Sequence, residues 1–463
     1  MRRSPFIWAA FAFITTAYAQ DPDFDTSVDQ YSDVSFRLAN DKTNGFSVEY
    51  HNWYKIVTNH ELNEQYALVC CGQPTTNFTQ YHAAVNTPVT NVGVTTIRDL
   101  LPYMELLGSG ERVKSIEGYQ NVTSPCYSGV TDSPGNGTVD IIFSDHSLAN
   151  MPGSTSYVGF SPDTEQLTPL QQASWLVYIA LFFDEEGEAT TTFGNIESSY
   201  TCHKDNMADA PEKKNLAWTY YDSTNKTWTL VNTPFYKALA EDAGAKLVEP
   251  NSAQSTSYTQ LNEFHTAIRY ADYVIDVTPI NNLGNQSYDD WLTLGGFNNN
   301  FNVYSQAFVS EKNVFRADGL VNTNGYSDWS QRSPARPDLA LRDIIHMIYP
   351  TYQNEYSFTW LRNFAKSDTP RQVADISYVC NATDIRSELQ CDPYKFGVDQ
   401  NQNSGGGGDV HSLSTGGKAG ISVGVVVAAI IAGLAAFFFW RRHRQVKASR
   451  PFYRMNDVNQ SNP

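Results

Sequence analysis

SPDTEQLTPLQQASWLVYIALFFD, residues Ser161–Asp184, decides how this chain is built. Ser161-Pro162-Asp163 has the form of a helix start, and the segment turns apolar from Trp175 to Phe183. Asp184-Glu185-Glu186-Gly187 then reads as a solvated break, and a second helix is predicted from Ala189 to Cys202. A long helical stretch thus stands in the middle of the chain, with alternating patterns on either side of it.

Before it, Phe46–Asn59 and Gln65–Cys71 read as strands around a polar turn at Asn59–Glu64. Thr96–Leu107 has helical spacing and ends at Gly108, a natural C-terminal stop, although Pro102 should kink it. Val113–Glu117 and Val139–Ser144 are short strands. After it come strands at Asn215–Tyr221, Trp228–Val231, Lys246–Val248, Tyr273–Val277 and Asn313–Ala317. Helices are predicted at Phe235–Ala243, Tyr258–Tyr270, Tyr288–Leu294 and Pro337–Ile348. The pattern specifies an α/β protein of two lobes with mostly parallel sheets, joined by a helical spine. The first lobe spans residues 46–160, the spine 161–204 and the second lobe 205–372, with a cysteine-bearing segment at 373–395.

The ends of the sequence carry targeting signals. Arg2-Arg3, the apolar Phe6–Ile14 and Ala17-Tyr18-Ala19 form a secretory signal peptide over residues 1–19, followed by a loose lead-in at 20–45. Residues 396–418 are a Gly/Ser-rich flexible linker. Ala419–Trp440 is uncharged and, at 1.5 Å per residue, long enough for a transmembrane helix of about 33 Å. Arg441-Arg442-His443-Arg444 opens a cytoplasmic tail, 441–463. The expected location is the plasma membrane, or an endosomal membrane, in single-pass type I orientation. Gly420, Gly424, Ala428, Ala432 and Ala436 offer a small-residue face on which two spans could form a homodimer.

A net charge of −17 excludes nucleic acid as a partner of the exported part. The six cysteines Cys70, Cys71, Cys126, Cys202, Cys380 and Cys391 suit three disulfides in an oxidising compartment. Of the fifteen connectivities, the short loop makes Cys380–Cys391 the first pair to propose. Glycosylation sequons stand at Asn77, Asn121, Asn136, Asn225, Asn285 and Asn381. His146 belongs to no metal-ligand spacing and reads as a lone polar side chain. Ser223-Thr224-Asn225-Lys226 and Gly420-Ile421-Ser422-Val423-Gly424 match nucleophile motifs by chance, and nothing else points to an enzyme.

Three stretches carry a resemblance to a known family. They are Thr87-Pro88-Val89-Thr90 through Leu106-Leu107-Gly108, Tyr273-Val274-Ile275-Asp276, and Ser327-Asp328-Trp329-Ser330-Gln331-Arg332-Ser333-Pro334-Ala335-Arg336-Pro337. They resemble the periplasmic-binding-protein-like family for vitamin B12, siderophores and haem, whose lobes are joined by a helical spine. Among eukaryotes the chain resembles the algal cobalamin acquisition proteins. The resemblance covers about residues 46–348, and it departs at Gln331, where the bacterial B12 binders carry an acidic residue.

The resemblance implies a cell-surface protein that captures cobalamin or a related corrinoid as a transported ligand, with no cofactor of its own. The alternatives are a ferric siderophore or haem receptor, or a non-catalytic surface adhesin. A flat, amide-rimmed ring needs aromatic walls and a few neutral polar groups. Tyr119, Tyr127, Phe160, Phe235, Tyr236, Trp329 and Gln331 are the candidates for ligand binding. Arg332 and Arg336 read either as partners of local carboxylates or as anion ligands, with structure favoured for Arg336. A single span forms no channel, so uptake calls for a separate transporter or endocytic machinery.

Overall fold

The computed structural model describes residues 24–32, 45–133, 139–145, 156–162, 166–250, 256–279, 287–297, 306–376, 378–380, 382 and 391–396. The signal peptide, linker, membrane span and tail, together with His146 and the sequons at Asn136, Asn285 and Asn381, lie outside the described residues. Among the described residues no helix is long and apolar enough to cross a membrane.

The chain is a mixed α/β protein with parallel sheets and helices. Four strands, β1 (Phe46–Tyr50), β2 (Tyr54–Asn59), β3 (Glu64–Val69) and β4 (Ala83–Asn86), form a first sheet in sequence order. The first three are antiparallel, and β4 joins β3 in parallel, Tyr66 opposite Ala83. A second sheet is wholly parallel, ordered β6 (Val113–Ile116), β5 (Val92–Val94), β7 (Ile141–Ser144), β8 (Ser156–Gly159). Such strands are buried on both faces, which is why Ile141-Ile142-Phe143 is an unbroken apolar run. Helix α1 (Leu101–Leu107) follows β5 and stops at Gly108, whose φ of 76° is a left-handed cap. Pro102 does not kink this helix, because it stands in the first turn, where no N–H partner is needed.

The central stretch folds as α2 (Pro169–Ala173), α3 (Trp175–Ala180) and α4 (Glu186–Asn206). The predicted start at Ser161-Pro162 is not used. The helix begins at the next such signal, Thr168-Pro169, where the Gln171 side chain accepts from the Thr168 N–H at 2.9 Å. Ala189, Thr192, Ile196, Ser199 and His203, spaced three and four residues apart, line one buried stripe of α4 together with Tyr200. With these, α4 packs on α1 and α3 on one side and on the later helix Pro337–Ile348 on the other.

The acidic run between α3 and α4 is no solvated break. Lys55 on β2, fully buried, donates to Asp184 and Glu186 at 2.6 Å each and to the Leu181 carbonyl at 2.8 Å. Glu185 pairs instead with Arg112 at 2.7 Å.

A third sheet fills the C-terminal half, with β9 (Asn215–Asp222), β10 (Thr227–Leu230), β11 (Lys246–Leu247), β12 (Ser257–Tyr258), β13 (Tyr273–Asp276), β14 (Val314–Arg316) and β16 (Arg362–Asn363). Its centre is parallel: Ile275 faces Trp218 on one side and Phe315 on the other. β10 and β12 on one flank and β16 on the other are antiparallel, unlike the mostly parallel expectation, and β9 and β10 are joined by the tight turn Ser223–Lys226. That turn accounts for the chance S-x-x-K match: the Asp222 carboxylate accepts from the N–H groups of Thr224 and Asn225. Helices α5 (Pro234–Asp242), α6 (Leu261–Ile268), α7 (Tyr288–Leu294) and α8 (Ala307–Ser310) connect these strands. Separate cores cover the sheet's two faces, one around Trp218, Leu239 and Ile344 and the other around Trp228, Phe264 and Trp291. The short α9 (Trp329–Arg332) and α10 (Pro337–Ile348) follow, and β15 (Leu320–Val321) pairs with β17 (Arg371–Gln372).

The cysteine pairing differs from the proposed Cys380–Cys391. The bonds are Cys70–Cys71, Cys126–Cys380 and Cys202–Cys391. The two C-terminal cysteines are close in sequence but held at different places. Val379 packs on the N-terminal core beside Cys126, whereas Asn206 at the end of α4 binds the Asp392 carbonyl and the Tyr394 N–H.

Candidate ligand-binding site

Ligands of open α/β sheets sit beyond the carboxyl ends of parallel strands, where backbone turns leave a crevice. Here the ends of β13 and β14 open onto a cavity of about 260 Å³ lined by Asp276, Thr278, Asp318, Tyr326, Ser327 and Trp329, with Ser330 exposed beside them. Gly319, just past β14, allows the chain to turn there: a Cβ at this position would lie 2.5 Å from the Trp360 carbonyl oxygen.

Both carboxylates at this cavity are hydrogen-bonded inside the protein. Asp276, almost fully buried, accepts from the Trp291 indole at 2.6 Å and from the Thr278 N–H at 2.8 Å. Asp318 accepts from Arg316 at 2.9 Å and from Arg362 at 2.6 Å. Burial alone would raise the Asp318 carboxyl, but the two guanidiniums outweigh it and hold the group below the usual carboxylate range. The strand ends therefore present hydroxyls, the Asp318 carboxylate neutralised by two arginines, and the Asp276 carboxylate held by neutral donors.

Of the sequence candidates, Trp329 lines this cavity. The Trp329 ring is buried against Trp218, 5.9 Å between centroids, and edge-on to Trp360 at 5.6 Å, yet it lines the cavity. Tyr236, half-buried, packs on Trp218 with ring centroids 4.8 Å apart and does not line the cavity. The other five are placed elsewhere. Phe160 is edge-on to Tyr103 and Trp175 in the N-terminal core, and the Tyr127 hydroxyl donates to the Leu101 carbonyl at 2.8 Å. Phe235 packs in the C-terminal core, and Tyr119 is half-buried against the N-terminal one. Phe160, Tyr127 and Phe235 are thus buried among residues of their own halves.

Gln331 has a different task from the one expected. Its Oε1 accepts from the Thr123 N–H and hydroxyl at 3.1 Å, and its Nε2 donates to the Asn121 carbonyl at 2.8 Å. Asp328 accepts from the same Thr123 hydroxyl at 2.7 Å, from the Trp360 indole at 2.8 Å and from Arg332. Asn322 donates to the Gln120 and Val122 carbonyls. The Ser327–Gln331 stretch thus latches the C-terminal half to the 120–123 loop of the N-terminal half. Arg336 pairs with Asp338 at 3.0 Å, the structural role favoured for it. Of the described sequons, Asn77 and Asn225 are exposed, whereas Asn121 is half-buried at the latch.

The carboxylates and hydroxyls at the strand ends were missed by sequence reasoning centred on aromatic rings. Their signal is an acidic residue at or just past an apolar strand, as in Val274-Ile275-Asp276 and Ala317-Asp318-Gly319.

No family model matches the sequence, and no curated protein matches it. Several solved structures are similar. A possible iron-binding periplasmic solute-binding protein from Staphylococcus epidermidis aligns at 13% identity over 57% of this chain and 100% of its own, TM-score 0.44. A periplasmic heme-binding protein from Pseudomonas aeruginosa aligns at 10% identity over 59% and 97%, TM-score 0.42. A petrobactin-binding protein from Bacillus subtilis aligns at 16% identity over 56% and 93%, TM-score 0.40. At such identities the ligand of this chain must be read from its own residues.

Proposed function

We propose that the chain is a non-catalytic solute-binding protein whose two halves act as lobes around a small-molecule ligand, and that the ligand is cobalamin or a related corrinoid. The observation that carries this reading is the strand-end cavity of the C-terminal half, bounded by the Trp329 ring, where Asp318 is paired with two arginines and Asp276 is held by neutral donors. Its polar atoms are chiefly acceptors and hydroxyls, the complement of a neutral molecule rimmed with amide N–H groups. A siderophore or haem bearing carboxylates would ask instead for unpaired cations, and both arginines next to Asp318 are engaged with it. At 260 Å³ the cavity is below the roughly 300–1,000 Å³ of ordinary small-molecule sites. It would receive the amide rim of the ligand rather than a whole macrocycle. The same reading has the chain exported, anchored by residues 419–440 and served by a separate transporter or endocytic route.

Equilibrium dialysis of the purified full-length protein against cyanocobalamin, haemin and a ferric hydroxamate tests it. Saturable binding of cyanocobalamin at micromolar concentration is expected, with weak or no binding of the other two. Ser330→Arg, at an exposed position of the cavity, should weaken that binding about tenfold or more while leaving the melting temperature unchanged. Absence of cobalamin binding, or a variant that binds as well as the parent, overturns the assignment.

A further inference from the structure

A second, larger cavity of about 420 Å³ lies on the other side of α9 and shares no lining residue with the strand-end one. Its walls come from both halves: Glu105 and Leu106 of α1, Arg332 of α9, Leu339 and Arg342 of α10, the 356–359 loop, and Arg371 with Ile376 and Tyr378. Four guanidiniums border it, those of Arg332, Arg336, Arg342 and Arg371, against the single carboxyl of Glu105. Two of them are matched by acids: Arg332 by Asp328 at 2.7 Å and Arg336 by Asp338 at 3.0 Å.

The other two have no carboxylate partner among the described residues. Arg342 donates through Nε to the Gln353 side chain at 2.6 Å and lies 4.2 Å from the Tyr356 ring centroid. Arg371 donates to the Phe358 and Thr359 carbonyls at 2.6 and 2.9 Å. Neutral acceptors fix the direction of both forks without cancelling either charge. A second feature points the same way. Glu105 is 4% exposed, and its Oε1 has no hydrogen-bond partner among the described residues. A buried oxygen left unmatched is costly unless something fills the space beside it.

We propose that this cavity binds a small organic carboxylate, whose charged end lies between Arg342 and Arg371 and whose apolar body rests on Leu106, Leu339 and Phe358. The paired cations supply the forked donors that a carboxylate accepts. Glu105, whose carboxyl is pushed up to about 7 chiefly by burial, can hold a proton and donate to the same anion. This site is independent of the strand-end cavity, because α9 stands between them and Trp329 and Arg332 face different ones.

Benzoate, its neutral isostere benzamide, and inorganic phosphate serve as probes on the purified full-length protein, read by calorimetry and by melting temperature. Benzoate is expected to bind saturably and to raise the melting temperature, benzamide to do neither, and phosphate to bind more weakly than benzoate. Arg342→Gln with Arg371→Gln should weaken benzoate about tenfold or more, with cyanocobalamin binding as in the parent. If the double variant does not fold, Arg371→Gln alone, at an exposed position, should still weaken benzoate severalfold. Equal affinity for benzamide, stronger binding of phosphate, or undiminished benzoate binding by Arg371→Gln overturns the proposal.

Discussion

Glu105 shows what burial does to one residue. It lies on α1, hydrogen-bonded through Oε2 to the Tyr378 hydroxyl at 3.2 Å, and burial pushes its carboxyl up to about 7, with Arg332 pulling the other way. A carboxyl whose folded value is raised contributes fully to stability below its unfolded value and loses that contribution as pH rises through the folded one. The window here runs from about 4.5 to about 7. By pH 8 the loss is roughly 3 kcal/mol, at 1.36 kcal/mol per unit. Glu105→Gln should therefore unfold at higher denaturant concentration than the parent at pH 8 and show no such gain at pH 4. A parent-like pH dependence in the variant would show that another group governs this range. The sequence marks Glu105 as one acid on an apolar helix, but nothing local to it shows that Tyr378 and Arg332 close over it.

At the scale of elements, periodicity carried most of the reading. Strands such as Tyr273–Asp276 and helices such as Pro337–Ile348 lie where alternation, proline and glycine put them, because these signals act within a few residues. The start of the central helices was ambiguous for a local reason. Ser161-Pro162 and Thr168-Pro169 are equivalent signals, and only the reach of Gln171 back to Thr168 distinguishes the second. The junction of α3 and α4 was illegible for a distant one: its acidic residues find their cation on β2, more than a hundred positions earlier. Lys55 ties both helices to the first sheet, so Lys55→Ala should leave Asp184 and Glu186 facing one another without a counter-charge. The expected cost is about 3–5 kcal/mol in denaturant unfolding at pH 7. A loss below about 1 kcal/mol would mean that water replaces the ammonium freely.

Across the whole molecule, the sequence placed the chain in the mixed α/β class but could not sort aromatic rings between interior and ligand. Phe160 and Trp329 both occur in loops or at element ends, and only the assembled sheets show that the first is sealed in a core while the second borders a cavity. Cysteine pairing failed for the same reason, since Cys126 and Cys380 are 254 positions apart and Cys202 and Cys391 are 189 apart. Those two overlapping spans have a consequence for a nicked chain. A protease cut anywhere between Cys126 and Cys391 leaves both pieces covalently joined, and only a cut past Cys391 can shed material from the C-terminal end. A protein clipped once between Cys126 and Cys391 should therefore run as two fragments on a reducing gel and as one band without reductant. Fragments of a cut inside that range that separate without reductant would disprove the interlocked pairing.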